Sequence, residues 1–224
     1  MNISMNIQTE QHIIRLIEND EWMMNVLQLA KSLELPDWWI CAGFVRSKIW
    51  DTLHNYEIRT TTPDVDVIYF DPFRKDEIYE QLLEKKLINL DASIPWSVKN
   101  QARMHVVNNM LPYSSSVDAI SKFPETATAL GVTLDEKNNV ILTAPCGIED
   151  VLSLQVRPTA HFLESKERLH IYKNRVIKKN WQSKWPSITI TYPEIRKDAS
   201  YLEKHPFLHF KKCMTVSANL SASS

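Results

Sequence analysis

The stretch "TPDVDVIYFD", residues 62–71, restricts the possible folds of this chain more than any other. Val65, Val67, Ile68, Tyr69 and Phe70 make it the best strand in the sequence, rich in β-branched and aromatic residues. Side chains two apart on a strand point to one face, with Cα atoms about 6–7 Å apart. Asp64 and Asp66 therefore share a face. Two such carboxylates repel each other and are costly to bury. Either they begin the strand at the surface, where Pro63 leads in, or a divalent cation removes the repulsion. Hard Mg²⁺ prefers oxygen, takes one or two carboxylates, and completes its octahedron with water and substrate phosphate.

Around this strand the pattern alternates between helix and strand. Ile13, Ile14, Ile17, Met24, Leu27 and Ala30 predict one or two amphipathic helices over residues 9–34, ended by Pro36. "WWICA" reads as a short buried strand, and "FVRSKIWDTLH" as a helix. Asp71 followed by Pro72 predicts a helix start, with the helix over about 73–87 and Ile78, Leu82 and Leu83 on one face. "WSVKNQARMHV" alternates Val98, Asn100, Ala102 and Met104 as a further strand. "VDAISKF" and "PETATALG" read as short helical pieces, and "VTLDEKNNVILTAP" as two short strands joined by a polar turn. "IEDVLSLQV" reads as a helix, and residues 161–181 as a last, basic helix. The order predicts an α/β or α+β domain with a helical C-terminal part. A single domain over 1–212 is expected, with its core at about 36–145 and its helical part at about 146–212. The small polar tail 213–224 is expected to be disordered.

With 44% hydrophobic and 24% charged residues, the chain has the balance of a soluble globular protein. A formal net charge of −1 gives no global attraction for nucleic acid or membrane. Neither a signal peptide nor an apolar run of about 18 residues is evident. Cys41, Cys146 and Cys213 are sparse and odd in number, which argues for reduced thiols in a cytoplasmic protein. The seven histidines show no HExxH-type spacing.

The chain has only three glycines, and Gly43 stands between the "WWICA" strand and the next helix. A strand, a glycine turn, a helix and then an hDhDh strand (h, apolar) is the arrangement of the nucleotidyltransferase superfamily with a DNA-polymerase-beta-like fold. "AGFVRSKIWDTL" resembles the "GG-x-VRD" turn and helix of tRNA CCA-adding enzymes, with Ala42–Gly43 in place of two glycines. The run "WICAGFVRSKIWD…TPDVDVIYFD…PWSVKNQARMH…FPETATALGV…APCGIEDVLSLQVRPT" resembles a bacterial nucleotidyltransferase-like family of unassigned substrate, over about residues 38–185. The implied fold is a mixed sheet flanked by helices.

This resemblance implies a site. Gly43 and the backbone N–H groups of Phe44 and Val45 would face the triphosphate of an NTP, ATP among the possibilities. The positive end of the helix would favour an anion there, and Arg46 is the nearby charge. Asp64 and Asp66 would be the Mg²⁺ ligands. Many members add a third carboxylate on a neighbouring strand, but "WSVKNQARM" has no acid, which leaves the general base unassigned. Asp118 and Glu125 are the substitutes elsewhere in the chain. Lys99, Asn100 and Arg103 are expected as nucleotide contacts, or else as an ordinary polar strand edge.

The expected function is Mg²⁺-dependent transfer of a nucleoside monophosphate from an NTP to a small-molecule, protein or RNA acceptor, with release of pyrophosphate. The alternatives are a nucleotide-binding protein without turnover and a nucleic-acid-binding module. The last would use the basic segment from Lys166 to Lys184, with Trp181 and Trp185 at its end. A solvated basic face, docked through its tryptophans, is favoured over nucleic-acid binding.

Overall fold

The structure, a computed structural model, describes residues 7–193. The expected tail, the boundary at 212, Cys213, His205 and His209 lie outside them. The N-terminal periodicity resolves into two helices, α1 (Glu10–Glu18) and α2 (Glu21–Lys31). Each has its own N-cap: Thr9 accepts from the His12 N–H, and Asp20 from the Met23 N–H. Of the stripe that predicted them, Ile13, Ile17, Leu27 and Ala30 are buried, while Ile14 and Met24 are only partly so and Met23 takes the core position on α2.

Next come β1 (Trp39–Cys41), α3 (Gly43–Leu53), β2 (Val65–Tyr69), α4 (Glu77–Leu90), β3 (Trp96–Asn100), α5 (Gln101–Val107) and α6 (Ser116–Ser121). A 3₁₀ turn at Thr126–Thr128 leads to the hairpin β4 (Gly131–Leu134) and β5 (Val140–Thr143). The chain continues through α7 (Glu149–Leu152), β6 (Gln155–Val156), α8 (Ala160–Leu163), α9 (Lys166–Lys179), a second 3₁₀ turn at Trp181–Ser183, and β7 (Thr189–Ile190). The main sheet has the order β3-β2-β1-β4-β5 and is mixed. β2 and β3 are parallel, joined through α4, and the other pairs are antiparallel. β6 and β7 form a separate parallel pair. This is the mixed α/β class that the sequence predicts.

The alternation of β2 decides where the core sits. Val65, Val67 and Tyr69 enter the main core, with Ile40, Trp96, Val98 and Val132 from the neighbouring strands. Ile68 belongs to a smaller cluster with Cys41, Ile120 and Ala129. Asp66 alternates with the core residues, beside this second cluster.

Five local expectations are corrected. The helix expected at about 73–87 begins only at Glu77, capped by Asp76. Asp71 instead closes a turn, accepting from the Phe73 and Arg74 N–H groups. The Asn100 amide donates to the carbonyls of Asp71 and Arg74, holding this segment in a loop. The same side chain accepts from the Ala102 N–H and starts α5, so the strand expected to run through Met104 stops at Asn100. On α4 the buried side is Glu80, Leu83 and Leu87, while Ile78 and Leu82 are 64% and 57% exposed. Finally, the basic helix is broken at Ser165, whose hydroxyl caps α9 by accepting from the Arg168 N–H. The "IEDVLSLQV" helix is only one turn, α7, before β6.

Between β1 and α3 the left-handed residue is Ala42, not Gly43. Ala42 has φ 55° and ψ −113°, outside the wells open to a residue with a side chain. Its N–H donates to the Leu130 carbonyl and its carbonyl accepts from the Arg46 N–H, which fixes the conformation. Such strain costs about 1–3 kcal/mol, partly offset in a glycine variant by its freer unfolded chain. Ala42→Gly is expected to raise stability by about 1 kcal/mol, read as a midpoint shift in urea at unchanged slope.

Candidate functional site

Asp64 and Asp66 both line an open cleft of about 970 Å³. Asp66 lies within β2, and Asp64 one residue ahead of it, so only one carboxylate is inside the strand. Asp66 pairs in register with Cys41 on β1 and Ser97 on β3. Burial, reinforced by the charge of Asp64, pushes the Asp66 carboxyl up to about 6; the Ser97 hydroxyl, Lys179 and Arg175 pull the other way. A pair held this close in one cleft suits a hard divalent cation, whose ligand set is completed by water or phosphate oxygen. Among the described residues no group of three or more His, Cys, Asp or Glu is arranged to hold a metal by itself.

The raised value has a definite sign. Asp66 titrates higher in the fold than the ordinary aspartate value of 3.8, so folding favours its protonated form. That contribution is complete below the ordinary value and lost as pH rises through about 6. In EDTA, Asp66→Asn is therefore expected to be more stable than the parent at pH 7.5. Allowing for solvent screening of a half-buried group, the gain is about 1–2 kcal/mol. The gain should shrink by pH 4.5, as thermal melts at the two pH values would show.

The start of α3 also lines the cleft, through Ala42, Gly43, Arg46 and Ser47. No side chain caps that helix, and its first amides carry the positive end of the helix dipole. A Cβ on Gly43 would meet Arg46 Nη2 at 3.7 Å and Thr62 Cγ2 at 3.8 Å, both ordinary contacts. The protein's own packing thus leaves room at Gly43, on the cleft side. Phe44, an expected nucleotide contact, is not among the cleft-lining residues, and its buried ring packs on Trp22.

Arg46 lines the cleft although it is only 6% exposed. Its guanidinium carbon lies 4.9, 4.6 and 5.0 Å from the ring centroids of Trp50, Trp181 and Trp185. Burial pulls it down to about 10, so it stays cationic at neutral pH.

The remaining cleft cations come from the C-terminal part: Arg175, Lys178 and Lys179 on α9, and Lys184 beyond it. Arg175 is anchored by Nε donating to the buried Glu125 at 2.7 Å, and Lys184 Nζ donates to the Thr61 carbonyl. Five cationic side chains and two carboxylates therefore line one cavity. The basic segment is not only a solvated face, because part of it turns inward. Trp181 and Trp185 are buried, as the docking reading requires.

Three expected nucleotide contacts lie elsewhere. Lys99, Asn100 and Arg103 are not among the cleft-lining residues and gather around Glu80 instead. Glu80, fully buried, accepts from Arg103 at 2.8 and 3.1 Å and from the Asn100 N–H at 2.9 Å, and faces Lys99 Nζ at 3.7 Å. The two substitute acids are also engaged. Asp118 pairs with Lys122 on α6, and Glu125 holds Arg175 and the Thr128 hydroxyl. The sequence reading missed Thr61, Thr62 and Thr128, which line the cleft. They sit in loops or a single turn, where hydropathy carries no period.

Comparison with known proteins bears on the family and the fold. The nucleotidyltransferase family model matches residues 28–190. A solved structure described as the NMR structure of a protein that reveals a CCA-adding enzyme head domain is 39% identical. The match covers 85% of this chain and 100% of that one, with a TM-score of 0.77. A CCA-adding enzyme in complex with CTP matches at 12% identity over 80% of this chain and 43% of its own, with a TM-score of 0.53. That second likeness is one of fold alone. No match is found among curated proteins. With the family model spanning most of its length, and a 39%-identical relative covered end to end, the chain belongs to the nucleotidyltransferase family.

Proposed function

We propose that the protein moves a nucleoside monophosphate from an NTP to an acceptor hydroxyl, releasing pyrophosphate, and that it requires Mg²⁺. The carrying observation is the convergence of Asp64 and Asp66, the uncapped start of α3, and five cations on one cleft. That charge arrangement complements a metal-bound triphosphate. A CCA-adding enzyme of like fold has been obtained with CTP, which accords with an NTP as donor.

In the reaction the acceptor oxygen attacks the α-phosphorus, the bond to the pyrophosphate oxygen breaks, and the acceptor proton is lost. Asp64 and Asp66 would hold the metal, which when bound aligns the triphosphate and offsets its developing charge. The start of α3 and Arg46 orient the phosphates. Arg175, Lys178 and Lys179 stabilise negative charge at the open side, where fixed cations need no reorganisation during the reaction. The acceptor is a small molecule, a protein hydroxyl or an RNA end.

One observation favours a second reading, binding without turnover. β3, the strand next to Asp66, holds no acid, and its residue in register with Asp66 is Ser97, whereas many superfamily members carry a third acid on a neighbouring strand. The two readings separate in one experiment, with each NTP incubated with Mg²⁺ and a panel of acceptors. Release of pyrophosphate that EDTA stops supports the transferase. Saturable Mg²⁺-dependent NTP binding with no release across the panel supports the binder.

Membrane insertion has no support in the helices. Among the described residues none is long and apolar enough to cross a bilayer.

A further inference from the structure

Arg46 is placed unusually for a buried cation. A buried guanidinium ordinarily has a carboxylate partner and hydrogen bonds to most of its five donors. Here Nη2 donates to the Ser47 hydroxyl at 3.0 Å, and Nε is buried without a partner among the described residues. Glu125, Asp51 and Asp64 lie close enough for their charge to be felt, yet none is hydrogen-bonded to Arg46 among the described residues, and the first two are engaged by other groups. Glu125 is taken by Arg175 and Thr128, and Asp51 by the Thr60 N–H, the Thr60 hydroxyl and Trp185 Nε1. Three indole rings surround the guanidinium instead. Indole faces attract a cation without accepting the directed hydrogen bonds that an anion would need.

Two of these rings come from a distant part of the chain. α9 ends at Asn180, in the left-handed conformation (φ 43°, ψ 47°), and the chain turns back so that Trp181 and Trp185 pack on Trp50. Trp185 is pinned by its 2.7 Å bond to Asp51, and Trp50 by its bond to the Val151 carbonyl. Trp181 lies closest to the guanidinium, at 4.6 Å.

We propose that Trp181 and Trp185 are positioning residues for phosphate binding, holding Arg46 beside the start of α3 with its hydrogen-bond donors kept available for the triphosphate. This rests on the reading of the cleft as a triphosphate site. In the proposal the C-terminal segment tunes affinity through Arg46, in addition to placing its own lysines at the cleft.

The test is a double-mutant cycle on the full chain. Inorganic tripolyphosphate with Mg²⁺ is titrated calorimetrically, and a thermal melt verifies folding of each variant. Trp181→Leu is expected to weaken binding about tenfold, and Trp181→Phe, which keeps an aromatic face, less than about threefold. In an Arg46→Met background Trp181→Leu should change affinity by less than about twofold, because the group it positions is gone. Trp22→Phe, on the far side of Phe44, should bind as the parent does. Equal losses from Trp181→Leu in both backgrounds would mean a purely structural role and overturn the proposal, as would parent-like binding by a folded Trp181→Leu. If the parent protein binds neither tripolyphosphate nor any NTP, the triphosphate reading itself falls, and this inference with it.

Discussion

Asp64→Asn and Asp66→Asn, made singly, are each expected to lower pyrophosphate release about a thousandfold at saturating Mg²⁺ and NTP, a loss of about 4 kcal/mol of transition-state stabilisation. An amide keeps the size of the side chain and removes its charge, so the change isolates metal binding. Both carboxylates line the same cleft, where burial, with the charge of Asp64 added, brings Asp66 up to about 6. With the cation lost, the surrounding lysines and arginines still attract the triphosphate. NTP affinity should therefore fall much less than turnover. Asp66→Asn gives the sharpest discrimination, because it is also expected to be the more stable protein in EDTA. A variant that melts higher and yet does not turn over cannot owe its inactivity to unfolding. Pyrophosphate release by either variant above about a tenth of the parent rate would remove the carboxylate pair from the mechanism.

Glu80→Ala is expected to cost about 3–5 kcal/mol of stability, because it leaves a partly buried cation and a buried backbone N–H without their acceptor. In a domain of this size that is a fall in Tm of roughly 10 °C. Glu80 organises Arg103, Lys99 and the end of β3 in one step. Arg103 is in turn held firmly in its charged form, chiefly by its hydrogen bond to Glu80. The cluster is outside the cleft, so a Glu80→Ala protein assayed well below its melting temperature should bind NTP with parent-like affinity. A large affinity loss in folded protein would restore Lys99, Asn100 and Arg103 as nucleotide contacts.

The contrast between these two clusters shows what the sequence could reveal. β2 was legible because alternation on a half-buried strand gives its two faces opposite chemistry, and the aspartates stand out among valines. The start of α3 was legible because glycine is scarce. Its strain was not, since Ala42 is an unremarkable residue whose conformation is imposed by bonds to Leu130 and Arg46. Lys99, Asn100 and Arg103 were misread because polar residues look alike whether they face a ligand or a buried acid. Glu80, in "EIYEQLLEKK", is one acid among many helix charges, and only tertiary packing singles it out. The inward turn of α9 was hidden for a similar reason. Lys166, Arg168, Lys173, Arg175, Lys178 and Lys179 put positive charge around much of the helix, so no moment marks the cleft side. The tryptophan cage joins Trp50 to residues about 130 positions later, a separation that local patterns do not encode.

That separation also has a consequence in time. At about 5–20 residues per second of synthesis, Trp181 and Trp185 follow Asp66 by roughly ten seconds. Until then the aspartates and the glycine turn exist without the cations of α9 and without two walls of the cage around Arg46. The growing chain thus carries the carboxylate half of the cleft before most of its cations are in place, and the two meet only once residues up to Trp185 have been made.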